Sequence, residues 1–510
     1  MSPTADEVSL WALICTGCLT TTVSTLYSAA LPPLCTIYGI EVADASWTMT
    51  IPSIGIAATS LLSGLLPEST HSKGVGRGTI LLGLACALYV LGCLIDTLSV
   101  PNTFTSTPAH PSFGLFLSGR VLTGAAAGVF EAVGTSELVS AYHRVVRRRV
   151  AGQSPTLQGV FGYRAGVMSV WGFAMSFIGG YIVGGDGSTD TVYVLGAVSC
   201  LYATVFAAVY FTATLSRSVV RETEVYLDME EEEEGVIEER ETASPESVVV
   251  THPLPSTVTL LVSVACVHVA FYLMPSLIAS HVSKDLPITP QQQDWLPGLI
   301  SGTVVLCAGI GSFLFTPLSG TSLFHTLFGM GHASNRLTPP SLMLSVFSFV
   351  TPLMCLSYLI VALVPCTWAV SMATVMAGLP EGLCMPAYNI WATMIVKSSG
   401  ATRRERERES HQSLLSANND VLPPDSHVSK GPMQGGTKLS SRPALLFGLV
   451  TAVMYCAHFL TSPVFIIAPS HVDLGLPLTA IEQSFFYAAV FLLVVSIAGV
   501  LVARRGGWLR

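Results

Sequence analysis

The sequence predicts an all-α polytopic membrane protein whose twelve transmembrane helices form two sets of six. Three observations predict it. Only 11% of the 510 residues are charged, where a soluble domain carries roughly 25%. The apolar residues gather in twelve blocks, each long enough to cross a bilayer, which takes about 20 residues of helix. The basic residues fall in alternate loops, the pattern of a chain with both termini in the cytoplasm.

The blocks lie near 9–33, 47–66, 79–97, 113–140, 157–184, 191–214, 256–280, 297–317, 341–363, 366–396, 443–468 and 481–503. The first is longer and more polar than a cleaved signal peptide and lacks a basic n-region, so it is read as a span. One of its faces carries Thr21, Thr25 and Ser28, which either line a polar cavity or bond back to their own helix. Its CTGC, Cys15 and Cys18, has no second pair or His cluster beside it. These are packing residues, as are the other cysteines, and neither a metal nor a cofactor is expected.

The loops set the orientation. Lys73 and Arg77 follow the second block, Arg144 and Arg147 to Arg149 the fourth, Arg217, Arg221 and Arg240 the sixth, and Arg336 the eighth. Eight bases between Lys397 and Arg442 follow the tenth block, and Arg504, Arg505 and Arg510 the last. So 21 of the 24 Lys and Arg lie on one side, Lys284 alone on the other, and Arg120 and Arg164 within spans. Two polar segments divide the chain: an acidic linker, 215–255, and a basic, Ser-rich loop, 398–441, both expected to be flexible. The domains are therefore 1–214 and 256–510, joined by 215–255. GVFE ending at Glu131 and GLPE ending at Glu381 occupy the fourth and tenth blocks, the same place in each half, as a duplication would leave them.

Ionisable groups inside spans cost several kcal/mol and face a bundle interior or a wet cavity. Glu131 lies thirteen residues before Arg144, some 15–20 Å along the helix and well inside the apolar slab. Arg120 is eleven residues earlier, on the same face, with Gly124 and Gly128 near it. Gly378, Pro380 and Gly382 surround Glu381 and weaken the helix there, as at the binding sites of transporters. Such carboxyls hold a proton and release it when water or a cation arrives; the competing reading is a structural ion pair. His268, one turn before Tyr272, and His458 lie in the seventh and eleventh blocks, as proton relays, substrate ligands or partners of a neighbouring helix. Arg164 is expected to snorkel to the interface. No nucleotide-binding, zinc-protease or hydrolase motif occurs, so neither an ATP-driven motor nor an enzyme is expected.

This 6+6 pattern around a long central loop resembles the major facilitator superfamily, most of all its 12-span drug/proton antiporter branch. GRVLTGAAAGVF, from Gly119, looks like that family's fourth-span motif, whose arginine, here Arg120, is associated with proton coupling. SELVSAYHRVVRRR looks like the acid at the inner end of that span, Glu137, and the bases behind it to Arg149. Ala30-Leu31-Pro32 and Trp47 match the end of the first span and the start of the second. KGVGRG keeps Gly76 and Arg77 of the gating loop but has Lys73 where an Asp belongs. The fifth span keeps Gly179 and Gly180 of the antiporter motif, with Met175 and Ser176 in place of its Gly-Pro.

The resemblance implies a secondary transporter of a small organic solute, working by alternating access around a cavity lined by spans 1, 4, 7 and 10. Glu131, Glu381, Arg120, His268, Thr25, Ser28 and Tyr272 would face that cavity, with Glu131 or Glu381 carrying a coupled proton and Arg120 tuning it. Facilitated diffusion and a non-transporting receptor on the same scaffold stay open. The expected partners are a small molecule, protons and the lipid of a plasma or internal membrane, with no nucleic acid, for a monomer.

Overall fold

The computed structural model describes residues 4–28, 30–65, 77–100, 110–148, 157–183, 190–231, 253–293, 295–318, 346–384, 387–389, 391–392, 395, 443–467 and 477–505, and among them every regular element is a helix. The first six spans are α1 (Ala5–Thr25) with α2 (Leu31–Tyr38), α4 (Trp47–Leu65), α5 (Arg77–Leu98), α6 (Phe113–Arg148), α7 (Leu157–Val183) and α8 (Asp190–Glu231); a short α3 (Val42–Ala45) precedes α4. The second six are α9 (Pro253–Phe271) with α10 (Leu273–Lys284), α12 (Leu296–Leu318) after a short α11 (Pro290–Gln293), α13 (Thr351–Leu363), α14 over 367–384, α15 (Pro443–Thr461) and α16 (Ala480–Arg505). Wider π turns, Val346–Val350 and Ser462–Ile467, open the ninth span and close the eleventh. An even number of successive spans puts the start of α1 and the end of α16 on one face, the terminal face.

Nine helices among the described residues are long and apolar enough to cross a membrane on length and composition alone. The other three spans, α1, α7 and α14, carry Thr21 and Thr25, Arg164, and Glu381. Their polarity belongs to the inside of the bundle. The outside is apolar: Trp368 is 76% exposed, Tyr181 69% and Leu201 66%, which suits hydrocarbon as solvent and not water. α8 runs on to Glu231, so residues 215–231, expected within a flexible linker, are helical; Arg, Glu, Leu and Met there are good helix formers. Residues 232–252 and the loop 398–441 lie outside the described residues.

Two spans are interrupted along their length. The first is interrupted by a turn at 26–28, before Pro32 and Pro33 start α2. At that break the Thr25 carbonyl accepts from Ser28 Oγ at 2.8 Å and from Ser176 Oγ of α7 at 3.2 Å. The seventh breaks at Tyr272, because Pro275 has no N–H for the Phe271 carbonyl. The Tyr358 hydroxyl of α13 supplies a donor instead, 2.6 Å from the Ala270 carbonyl and 3.2 Å from that of Phe271. The tenth span was expected to weaken around Pro380, yet α14 is helical throughout 367–384.

Glycines set the helix spacing. Gly124 and Gly128 press α6 onto the α4 backbone at Pro52 and Ile56, and Gly55 returns the contact at Val121. Gly378 and Gly382 sit against the α12 backbone at Val304 and Ala308. A Cβ at any of these would strike backbone, so two helices meet closely there. The halves join where α7 packs on α12 and α4 on α15.

Candidate functional site

A cavity of ≈ 160 Å³ lies between the halves, walled by residues of spans 1, 2, 4, 5, 7, 8, 10 and 11. Thr25, Glu131, His268, Tyr272 and Glu381 all line it, as the sequence expects. A second cavity of ≈ 70 Å³ adjoins it toward the terminal face, sharing Glu131 and His268 and adding Thr135, Arg164 and Tyr388.

The two glutamates have different neighbours. Glu131 Oε2 accepts a hydrogen bond from Arg164 Nη2 at 2.9 Å, and Arg164 Nη1 donates to Thr135 Oγ1. Arg164 therefore does not snorkel to the interface: it is 6% exposed and turned inward, because a buried carboxylate one helix away holds it better than a distant headgroup would. Among the described residues Glu381 has no such cation. Its Oε1 is 3.3 Å from His268 Nδ1, too poorly aligned for a hydrogen bond. Both carboxylate oxygens and both ring nitrogens lack hydrogen-bond partners among the described residues. Glu381 is 2% exposed and His268 1%.

The C-terminal wall continues as a row of rings. His268 and Tyr272 have centroids 5.6 Å apart, and Tyr272 stacks on His458 at 3.8 Å and 14°. His458 Nδ1 reaches across to Ser53 Oγ of α4 at 2.9 Å. A line of contacts thus runs from Glu381 to the other half of the molecule. Thr25 takes the option of bonding back, its hydroxyl donating to the Thr21 carbonyl at 2.8 Å.

Other expected site residues lie elsewhere. Arg120 is absent from the wall: it stands three helical turns from Glu131, with its guanidinium 3.9 Å over the Tyr27 ring. It donates to the Thr48 carbonyl at 3.4 Å and to that of Val23. Sharing a helix face did not bring the two together because a rise of roughly 16 Å separates them. The Tyr27 hydroxyl donates to Asp96 Oδ2 at 3.4 Å; Asp96 Oδ1 has no hydrogen-bond partner among the described residues. Asp96, the one acid in the third block, is the residue that reading by sequence missed, although the rule for ionisable groups in apolar helices points to it. Ser28 also lies off the cavity: its Oγ is 3.2 Å from Ser301 Oγ of α12, between the halves, on the side away from the terminal face. Ser46 and Ser462 make a like contact at 2.7 Å.

Glu137 packs over Gly78, at the start of α5 just after Arg77. Gly179 abuts the Leu26 carbonyl, and Gly180 lies against Gly298 of α12. Gly76 and Arg149 lie outside the described residues.

A family model of the Major Facilitator Superfamily matches residues 13–406. The chain belongs to the major facilitator superfamily. It is thus a multi-pass membrane protein of a transporter family, and the cavity stands where the two halves of a major facilitator protein face each other. A search of curated proteins finds no match. Among solved structures, a D-xylose-proton symporter superposes with a TM-score of 0.55 at 13% identity, over 98% of this chain and 96% of that one, a likeness of fold.

Proposed function

We propose that this protein is a proton-coupled secondary transporter of a small organic solute, of the efflux or antiport type found in the drug/proton antiporter branch. Its two halves, 1–214 and 256–510, rock about the cavity, with both termini on the cytoplasmic side of a plasma or internal membrane. One observation carries the reading: Glu381 and His268 face each other at 3.3 Å on the cavity wall, buried and without hydrogen-bond partners among the described residues. A buried carboxyl with no fixed partner is costly unless a mobile one visits it, and a proton or a solute is such a partner. The likeness of fold to a D-xylose-proton symporter supports coupling to protons. Glu131 serves less well as the proton carrier, because Arg164 already neutralises it.

Flux in proteoliposomes tests this, with a solute found by a thermal-shift screen. Glu381→Gln is expected to abolish accumulation driven by a pH gradient while exchange of solute for solute persists. If Glu381→Gln and Glu131→Gln both leave gradient-driven flux intact, the coupling proposal fails. Counterflow without proton movement would mark a facilitative uniporter, and binding without flux a receptor.

A further inference from the structure

The charges facing the cavity reduce to a single site. Glu131 and Arg164 cancel at 2.9 Å. No Lys or Arg lines the larger cavity among the described residues, so Glu381 faces only His268. With one proton between them, that pair is neutral, as carboxylic acid plus imidazole or as carboxylate plus imidazolium. Without the proton it carries one negative charge. A group bearing one positive charge restores the neutrality that the proton leaves.

The wall narrows the rest of the ligand. Met168, Met454, Phe271, Tyr272 and Val305 make most of it apolar, and no Asn or Gln faces the larger cavity among the described residues. Its hydroxyls are largely occupied: Thr21, Thr25, Ser169 and Ser312 each donate to a backbone carbonyl. A polyol would find few free donors, and an anion would find Arg164 already taken. Among the described residues, the cavity-lining groups left unpartnered are the Glu381 oxygens, Glu131 Oε1, the His268 nitrogens, Ser276 Oγ and His458 Nε2, all suited to a small donor-rich head beside an aromatic face.

We propose that the solute bound here is a compact organic monocation, a protonated amine with an apolar body, whose ammonium takes the place of one proton on the Glu381–His268 pair. The inference rests on reading this cavity as the transport site. The ammonium N–H groups donate to the carboxylate, and the displaced proton passes to water, so charge balances. The second cavity, which shares His268, lies on the terminal-face side of that exchange.

The probe is 2-phenylethylamine, with 2-phenylethanol, phenylalanine and D-xylose as comparators. Each is titrated into the purified full-length protein by calorimetry, between about pH 6 and pH 8, in buffers of different ionisation heat. The amine is expected to bind with release of a proton, at least about tenfold more tightly than the alcohol and at least about tenfold more tightly than it binds Glu381→Gln. No amine binding, binding of the alcohol or D-xylose equal to the amine, or tighter binding of phenylalanine overturns the proposal. So does unchanged binding to a Glu381→Gln protein that melts like the parent. Should that variant not fold, the amine-to-alcohol ratio and the proton count on the parent protein decide. Flux separates this inference from the transport reading. An amine that binds in this way but never crosses the bilayer sinks the transport reading alone; proton-driven flux of a neutral solute with no amine binding sinks this inference alone.

Discussion

The Glu131–Arg164 pair is buried, with its side chains 11% and 7% exposed, so removing one partner strands the other as an uncompensated charge. Arg164→Gln is expected to cost about 3–5 kcal/mol, and the double variant Glu131→Gln/Arg164→Gln to recover more than half of it. Thermal unfolding in detergent measures both, and an additive double variant would refute the coupling. Arg120 makes a different case. Its planar fork reaches two carbonyls while its face lies on Tyr27, a combination that an ammonium cannot reproduce. Arg120→Lys is therefore expected to lower stability by about 1–3 kcal/mol yet leave ligand affinity at the cavity unchanged, since Arg120 does not touch it. A changed affinity with unchanged melting would instead show that Arg120 tunes the cavity from a distance.

At the scale of the helix, α14 owes the position of Glu381 to its glycines. A Cβ at Gly382 would strike the Ala308 carbonyl of α12, whereas one at Gly114 of α6 meets nothing within 4 Å. Gly382→Ala is expected to force the two helices apart at a cost of about 1–3 kcal/mol and to weaken binding by shifting the carboxyl. Gly114→Ala is the control and should melt like the parent. Equal melting of both variants would show that the α12–α14 contact yields freely. The break in the seventh span depends on a neighbour in the same way. Tyr358→Phe leaves two carbonyls beside Pro275 without the hydroxyl that now serves them. It should cost about 1 kcal/mol, read from the melting temperature.

For the whole molecule, alternating access requires the halves to part on the side where Ser28 meets Ser301 and Ser46 meets Ser462, at 3.2 and 2.7 Å. Cysteines at Ser28 and Ser301, joined by an oxidant, should hold that side shut and abolish counterflow, and a reductant should restore it. Full flux through the joined protein would exclude opening there. His458 extends the same logic, since its ring stacks on Tyr272 in the cavity wall while its Nδ1 holds Ser53 of the other half.

Taken alone, the sequence determined which segments form the apolar helices of a multi-pass bundle, and that Glu131, Glu381, His268 and Tyr272 turn to its interior. These properties are local: transfer of a segment into lipid depends on its own composition, and an acid in such a segment must turn inward wherever its neighbours stand. Only the tertiary structure decided that Glu131 is paired with Arg164 while Glu381 meets no cation among the described residues, that Arg120 and Asp96 form a separate cluster around Tyr27, and that the first and seventh spans break while α14 stays helical over 367–384. Those outcomes depend on the rotation, tilt and depth of one helix against another. Close contacts at Gly124, Gly128, Gly378 and Gly382 set these, and no pattern within a single segment encodes them.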